Sequence, residues 1–118
     1  MVLVIGGIAS GKRTYVRSLG YEDDHMSARA ASPAPVLLAL EESLRPGELD
    51  EQTLAQVLAK EVVVCAEVGM GVVPIDAEQR AWRERVGRTC ALLAAQATRV
   101  VRLVCGIPVT IKDTGGES

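Results

Sequence analysis

Short apolar runs recur along the chain and predict the strands of a sheet. Residues 2–5 and 61–66 are almost entirely apolar, which is typical of strands buried on both faces of a parallel sheet. Residues 100–105 and 108–111 form two more strand-like runs, separated by a turn. The run 36–40 fits either a strand or the start of a helix, because five apolar residues do not separate these two structures.

Amphipathic spacing and capping residues predict the helices between these runs. A short helix is predicted over 12–19, and Asp50 is a suitable N-cap for a helix that ends at residue 60. The longest helix begins after Asp76, because Gln79 stands three residues on and completes a capping box. Its predicted core-facing residues recur every three or four positions and are Trp82, Val86, Cys90, Leu93 and Ala97.

The segment 21–35 is polar and then rich in alanine, serine and proline. We expect a helical turn over 23–29, which the two prolines that follow would end. Strands and helices that alternate in this way predict an α/β layer structure with a mainly parallel sheet. We therefore expect a single domain over 1–112, followed by a flexible polar tail at 113–118.

Composition and charge narrow the class of protein. The 118 residues are 48% hydrophobic and 24% charged, as expected of one globular domain. The net charge of −2 lacks the positive excess that is typical of nucleic-acid binding. No apolar stretch reaches the roughly 18 residues that span a membrane. Three widely spaced cysteines predict buried thiols in a reducing cytoplasm, with neither a disulfide framework nor a metal site.

The strongest chemical signal is a glycine-rich loop between the first predicted strand and the first predicted helix. Gly6, Gly11 and Lys12 match the GxxxxGK spacing of a phosphate-binding loop. Glycines let backbone N–H groups converge on phosphate oxygens. The Lys12 ammonium is the predicted catalytic group, because it can stabilise the negative charge of the transferred phosphate. The predicted nucleotide-binding residues of the loop are Gly6, Gly7, Ile8, Ala9, Ser10, Gly11, Lys12, Arg13 and Thr14.

One position departs from this motif. Arg13 stands where the motif carries the serine or threonine whose hydroxyl binds Mg²⁺, and Thr14 lies one position late, about 100° further round the helix. We therefore expect GTP or ATP at the loop without the usual Mg²⁺ ligand. The alternative is a glycine-rich turn that joins strand to helix and binds nothing.

Three segments carry a resemblance to a known family. They are the Gly-Gly-x-x-Ser-Gly-Lys start, the string Glu67-Val-Gly-Met-Gly-Val-Val-Pro74, and Gly87-Arg88 with the stretch 97–112. A weaker likeness lies in Asp-Asp-His-Met-Ser-Ala-Arg at 23–29. Over 1–20 and about 60–112 the chain resembles the bifunctional adenosylcobinamide kinase / adenosylcobinamide-phosphate guanylyltransferase family of cobalamin biosynthesis. The resemblance implies a P-loop NTPase-like fold, reduced in size here because the segment before residue 60 is compressed and the family's second strand is not evident.

The resemblance also implies an activity and a site. That family phosphorylates the aminopropanol hydroxyl of adenosylcobinamide and then transfers GMP to the new phosphate through a guanylylated histidine. By this resemblance a nucleotide and a cobinamide substrate are the partners, and Glu67 lies beside the nucleotide. The family's histidine position, three residues after Arg29, is Ser32 in this chain. His25 replaces a glutamate of the family pattern and is the remaining candidate nucleophile.

Each of these residues also has a structural interpretation. His25 would then be an exposed side chain, Glu67 a strand-end carboxylate, and Arg80, Arg83 and Arg88 a solvated helix face rather than a phosphate clamp. The chain is accordingly a nucleotide-dependent transferase, an inactive relative that acts as a nucleotide-binding regulatory or assembly protein, or an anion-binding module of other function. We expect a homo-oligomer, because so short a sheet leaves an edge to bury.

Overall fold

The sheet and its helices are described by a computed structural model over residues 1–7, 10–68 and 76–114. The strands are β1 (Val2–Gly6), β2 (Met26–Ser27), β3 (Val36–Leu37), β4 (Val62–Ala66), β5 (Arg99–Val104) and β6 (Ile107–Asp113). The helices are α1 (Lys12–Ser18), α2 (Leu40–Ser43), α3 (Glu51–Leu58) and α4 (Ala77–Gln96). None of the helices in these ranges is long and apolar enough to cross a membrane.

The strands form one sheet in the order β2-β3-β4-β1-β5-β6. β1 is parallel to β4 on one side and to β5 on the other, so that Val4 is level with both Val64 and Val101. β6 returns antiparallel to β5 through a tight turn at Cys105 and Gly106. The predicted α/β fold, a mainly parallel sheet flanked by helices, is confirmed.

Each face of the sheet buries its own cluster of apolar side chains. Leu3 and Val63 pack on one face with Leu93 of α4, whereas Val4 packs on the other with Val16 of α1. The clusters alternate in this way because successive side chains of a strand point to opposite faces. The central strands are therefore covered on both sides, as their continuous apolar runs predict.

The apolar stripe of α4 faces the core as predicted. Val86, Leu93 and Ala97 are buried, and Trp82 and Cys90 pack against the same cluster. The predicted N-cap of this helix is also confirmed, because the carboxylate of Asp76 accepts a hydrogen bond from the Gln79 backbone.

The predicted helical turn at 23–29 is wrong beyond His25. A single 3-10 turn spans Asp23–His25, and the chain then enters β2. The turn closes on itself, because the Glu22 side chain accepts from the His25 backbone and His25 Nδ1 accepts from the Glu22 backbone at 2.9 Å. Pairing with β3 extends the next residues. A strand of two residues therefore occupies the place where no second strand was evident in the sequence.

The structure also shows the conformation of the run 36–40 and of the first residues of the predicted tail. The run 36–40 is a strand at β3 and a helix from Leu40 onward, with Ala39 in a left-handed conformation (φ 57°) at the change of direction. β6 includes Asp113, and the Thr114 backbone donates to Thr98 O at 2.8 Å. The first two residues of the predicted flexible tail are thus attached to the sheet, and the rest of that tail lies outside the described residues.

The Asp50 cap makes the stability of α3 depend on pH. Its Oδ1 accepts a hydrogen bond from Thr53 N at 2.7 Å, and this bond lowers the pKa of the Asp50 carboxyl below its ordinary value of 3.8. A carboxyl with a lowered folded pKa stabilises the protein above its unfolded pKa and loses that effect as the pH falls through the folded value.

The variant Asp50→Asn keeps a capping oxygen that does not titrate. In thermal melts at neutral pH we expect a higher melting temperature for the wild type, because a charged cap also interacts with the helix dipole. The difference should shrink as the pH falls below about 4. A difference that stays constant from neutral pH to pH 3 would contradict this role of the carboxylate.

Candidate functional site

The glycine-rich loop lies at the carboxyl end of the central strand β1, the edge at which open α/β sheets place ligands. A Cβ added at Gly6 would lie 2.5 Å from Ser10 Oγ and 3.2 Å from Leu103 O, so the fold of the loop requires glycine there. Gly11 has a φ of 84° and supplies the left-handed turn into α1. The predicted contacts Ile8 and Ala9 lie outside the described residues.

Lys12 folds its side chain back over this loop. Its Nζ donates to Gly7 O at 2.6 Å and lies 3.5 Å from Ser10 Oγ, which is buried beneath the bend. An ammonium group has three protons, so two protein partners leave one donor for an incoming anion. The positive charge is therefore placed at the loop before any ligand binds.

The described residues around the loop do not fit a Mg²⁺ site. Mg²⁺ is held by oxygen ligands, often carboxylates. Ser10 Oγ is buried and lies close to the Lys12 ammonium, and both carboxylate oxygens of Glu67 are bonded to Arg102. Arg13 is exposed at the position where the motif carries its hydroxyl, and Thr14 is exposed beside it.

Glu67 lies beside the loop and is paired with a residue that the sequence analysis missed. Its backbone N–H donates to Gly6 O at 2.8 Å, which extends the pairing of β4 with β1. Its carboxylate receives two hydrogen bonds from Arg102 of β5, Nε to Oε1 at 2.6 Å and Nη2 to Oε2 at 3.1 Å. This bidentate pair crosses the end of β1 and neutralises the carboxylate beside the loop.

The exposure of the two side chains and the pKa of Arg102 agree with this pairing of Glu67 and Arg102. The Glu67 side chain is 17% exposed and that of Arg102 is 41% exposed, so the pair lies at the surface of the sheet edge. The hydrogen bonds to Glu67 raise the pKa of Arg102, which stays charged. One signal in the sequence points to Arg102, since it is the charged residue that interrupts the apolar run of β5.

Glu41 is a second residue at this edge that the sequence analysis missed. β3 stops at Leu37, so the end of β4 extends past it, and Glu41 Oε1 accepts a hydrogen bond from Ala66 N at 2.9 Å. The Glu41 carboxylate thus accepts the hydrogen bond from the Ala66 N–H, which has no partner on β3 at this position. The Glu41 backbone oxygen also accepts from Trp82 Nε1 at 2.8 Å, which fixes α2 against α4.

His25 lies at the opposite end of the sheet. It precedes Met26, which is level with Val2 at the amino end of β1 through the pairings of β2, β3 and β4. Three strand spacings across and four residues along place it on the order of 20 Å from the loop. There its Nδ1 is bonded to the Glu22 backbone, and its ring meets Tyr21 edge-on at a centroid distance of 6.2 Å.

The other candidate residues lie on other parts of the chain, and the contacts described for Ser32 and Arg88 are with residues outside the loop. Ser32 Oγ accepts from Ala34 N at 3.2 Å, and Arg88 donates to Glu48 at 2.5 Å. Arg80 is exposed on α4. The structure therefore brings together Gly6, Gly7, Ser10, Gly11, Lys12 and Glu67, and it leaves His25 apart from them.

An α/β sheet with a glycine-rich loop at its carboxyl edge is an arrangement shared by many α/β proteins that bind phosphate groups. Comparison with known families gives the particular one. The sequence model described as "Cobinamide kinase / cobinamide phosphate guanyltransferase" matches residues 41–111. This segment is more than half of the chain and contains Glu67, α4 and most of the β5–β6 hairpin. The chain belongs to the cobinamide kinase / cobinamide phosphate guanyltransferase family.

Two curated relatives show how much of the family is present. The bifunctional adenosylcobalamin biosynthesis protein CobU of Escherichia coli K12 is 48% identical over 54 residues, which are 46% of this chain and 30% of that protein. The protein of the same name from Salmonella typhimurium LT2 gives the same values. The matched stretch thus spans less than a third of the length of these relatives. The family match begins after the glycine-rich loop, so the assignment of the loop depends on its own residues and geometry.

Proposed function

We propose that this chain binds GTP or ATP through the loop at 6–14 and acts as a nucleotide-binding transferase of cobalamin biosynthesis with a cobinamide substrate. The observation that carries this proposal is the position of Lys12, whose ammonium lies 2.6 Å from Gly7 O at the carboxyl end of the central strand. Membership of the family supports the choice of nucleotide and of a corrinoid partner.

In this proposal the chain's own residues bind and orient the triphosphate. The loop N–H groups hold phosphate oxygens, apart from the Ser10 N–H, which donates to Gly7 O at 3.3 Å. The Lys12 ammonium stabilises the charge on the transferred phosphoryl group. The acceptor is a hydroxyl of the cobinamide. Because His25 lies on the order of 20 Å from the loop, the geometry supports phosphoryl transfer better than transfer of GMP through a histidine.

Two labels of GTP separate these reactions. With γ-labelled GTP, Mg²⁺ and cobinamide, we expect label on the cobinamide. With α-labelled GTP we expect no label on the denatured protein. Label that is retained there, and that is lost in His25→Ala, would contradict the inference drawn from the position of His25.

A second candidate function is favoured by the altered positions. Arg13 replaces the metal-binding hydroxyl, and Ser32 stands at the family's histidine position. An inactive relative with these changes still binds nucleotide and serves as a regulatory or assembly protein. Binding of GTP without transfer of either label would favour this function over the transferase.

Arg102 is expected to assist nucleotide binding by neutralising Glu67. In Arg102→Leu the Glu67 carboxylate keeps its charge beside the loop without a partner, and it repels a triphosphate. We expect a severalfold weaker affinity for GTP in calorimetric titrations, and recovery of most of it in the double variant Glu67→Gln/Arg102→Leu. An unchanged affinity in Arg102→Leu would show that this charge lies outside the nucleotide site.

The proposed function includes assembly into a homo-oligomer, as expected from the sequence. Ile107, Val109 and Ile111 alternate along β6 and are 65%, 47% and 58% exposed, so the edge strand presents an apolar face. In sedimentation velocity we expect the wild type to sediment as an oligomer and Ile107→Lys/Ile111→Lys to sediment as a monomer. The exposed control Ala91→Lys on α4 should leave the distribution unchanged. A wild type that sediments as a monomer would contradict the proposed homo-oligomer.

A further inference from the structure

Two cysteines that are distant in the sequence meet inside the fold. Cys65 lies on β4 and is buried, whereas Cys90 lies on α4 and is half-buried. The Cys90 thiol donates a hydrogen bond to Cys65 Sγ at a sulfur–sulfur distance of 3.3 Å. Cys105 is exposed on the hairpin turn. The prediction that all three thiols are buried is thus wrong for Cys105, and the fold contains a contacting pair of thiols and one exposed thiol.

The two sulfurs are chemically unequal. When Cys90 ionises, the Cys65 thiol can donate to its thiolate, and this bond lowers the pKa of Cys90 against the opposing effects of burial and the Glu41 carboxylate. The same bond, together with burial, raises the pKa of Cys65. Cys90, which is also the more exposed of the two, is therefore the sulfur that reacts first.

We propose that Cys65 and Cys90 form a redox-modification site, in which a small-molecule disulfide oxidises the two thiols to an intramolecular disulfide. The Cys90 thiolate attacks one sulfur of the small disulfide, forms a mixed disulfide and releases one thiolate. Cys65 then attacks the Cys90 sulfur, its proton passes to the second leaving thiolate, and the Cys65–Cys90 bond forms. Two electrons pass from the protein to the small disulfide, which leaves as two thiols.

The geometry is suited to the second step. The sulfurs have to approach by roughly 1.3 Å to reach bonding distance. Once Cys90 is in the mixed disulfide its negative charge is gone, so the part of the Cys65 pKa rise that Cys90 causes is removed. Cys65 is then easier to deprotonate at the moment when it has to attack.

The site lies within the structure that supports the loop edge. Cys65 precedes Ala66, whose N–H is bonded to Glu41, and stands two residues before Glu67. The disulfide would close a ring of chain that contains Glu67 and the beginning of α4. Oxidation of the pair needs only the two thiols and occurs whether or not the chain binds a nucleotide.

The test uses the full chain with Cys105→Ser, which leaves the two paired thiols. After incubation with oxidised glutathione we expect the intact mass to fall by two hydrogen atoms, with no glutathione retained, and a Cys65–Cys90 link in the peptide map. Dithiothreitol should restore two alkylatable thiols. In the matched control Cys65→Ala/Cys105→Ser, Cys90 should keep a stable glutathione adduct.

Two results would overturn the proposal. One is a glutathione adduct that persists on Cys90 while Cys65 is intact, because the second step would then not occur. The other is a Cys105→Ser protein that keeps both thiols alkylatable after oxidation under conditions that modify Cys90 in Cys65→Ala/Cys105→Ser. Circular dichroism of each variant before oxidation shows that the comparison is between folded proteins.

Discussion

Lys12→Ala is expected to weaken binding of GTP and ATP about tenfold to a hundredfold. A hydrogen bond to a charged group contributes about 1.5–3 kcal/mol, and each 1.4 kcal/mol corresponds to about a factor of ten in the dissociation constant. The Lys12 ammonium lies over the loop, at 2.6 Å from Gly7 O. Calorimetric titration of wild type and variant with each nucleotide measures the change directly.

Arg17→Ala is the matched control for this experiment. Arg17 lies on the same helix and also carries one positive charge, but it is paired with Asp23 on the exposed surface at 2.8 Å. We expect its removal to change the affinity for nucleotide by less than about twofold, since exposed pairs contribute little and distant charges are screened. Equal losses in Lys12→Ala and Arg17→Ala would mean that net charge attracts the nucleotide and that the loop does not.

Gly6→Ala is expected to lower the melting temperature by roughly 4–10 °C and to abolish measurable binding of nucleotide. The added Cβ would meet Ser10 Oγ at 2.5 Å and the backbone oxygen of Leu103 at 3.2 Å. Overpacking of this kind lowers the free energy of unfolding by about 1–3 kcal/mol. In a domain of this size each kcal/mol lowers the melting temperature by a few degrees. Relief of the contact requires Ser10 to move, and with it the bend on which Lys12 rests.

Gly87→Ala is the control for the glycine substitution. Gly87 is exposed on α4, and a Cβ there would meet no atom of the described residues within 4 Å apart from the adjacent backbone of its own helix. Alanine is favoured over glycine in a helix by about 1 kcal/mol, so the melting temperature should rise by roughly 4 °C while nucleotide affinity stays unchanged. A Gly6→Ala protein that melts and binds like the wild type would show that the loop does not depend on the close approach of Ser10.

The parts of the fold that could be predicted are those with a local cause. The runs that became β1 and β4 are apolar on both faces, and Asp50 and Asp76 cap their helices through side chains three residues away from their partners. The glycine-rich loop was predictable because its spacing is short and lies between a strand and a helix. In each case the residues that determine the structure are neighbours in the sequence.

The parts that could not be predicted depend on partners far along the chain. β2 and β3 have two residues each, and their pairing to one another and to β4 is what extends them. The pairing of Glu67 with Arg102 joins residues 35 positions apart, and the contact of Cys65 with Cys90 joins residues 25 apart. Periodicity along the chain does not report which side chains meet across the sheet.

The position of His25 illustrates the same limit. Its place in a segment that resembles the family made it a candidate nucleophile, and the sequence does not state at which end of the sheet that segment lies. The end is determined by the parallel pairing of β2 with β3 and of β3 with β4, which makes Met26 level with Val62 through Val36. The candidate therefore stands at the amino end, and the loop at the carboxyl end.

The most direct test of the account is a titration of the backbone amides by nuclear magnetic resonance with GTP, ATP and inorganic tripolyphosphate. We expect the largest shifts at the amides of Gly7, Ser10, Gly11, Lys12 and Arg13, and we expect tripolyphosphate alone to reproduce most of them. Saturating ligand that leaves these amides unshifted, or that shifts mainly residues at the amino end of the sheet around His25, would contradict this expectation.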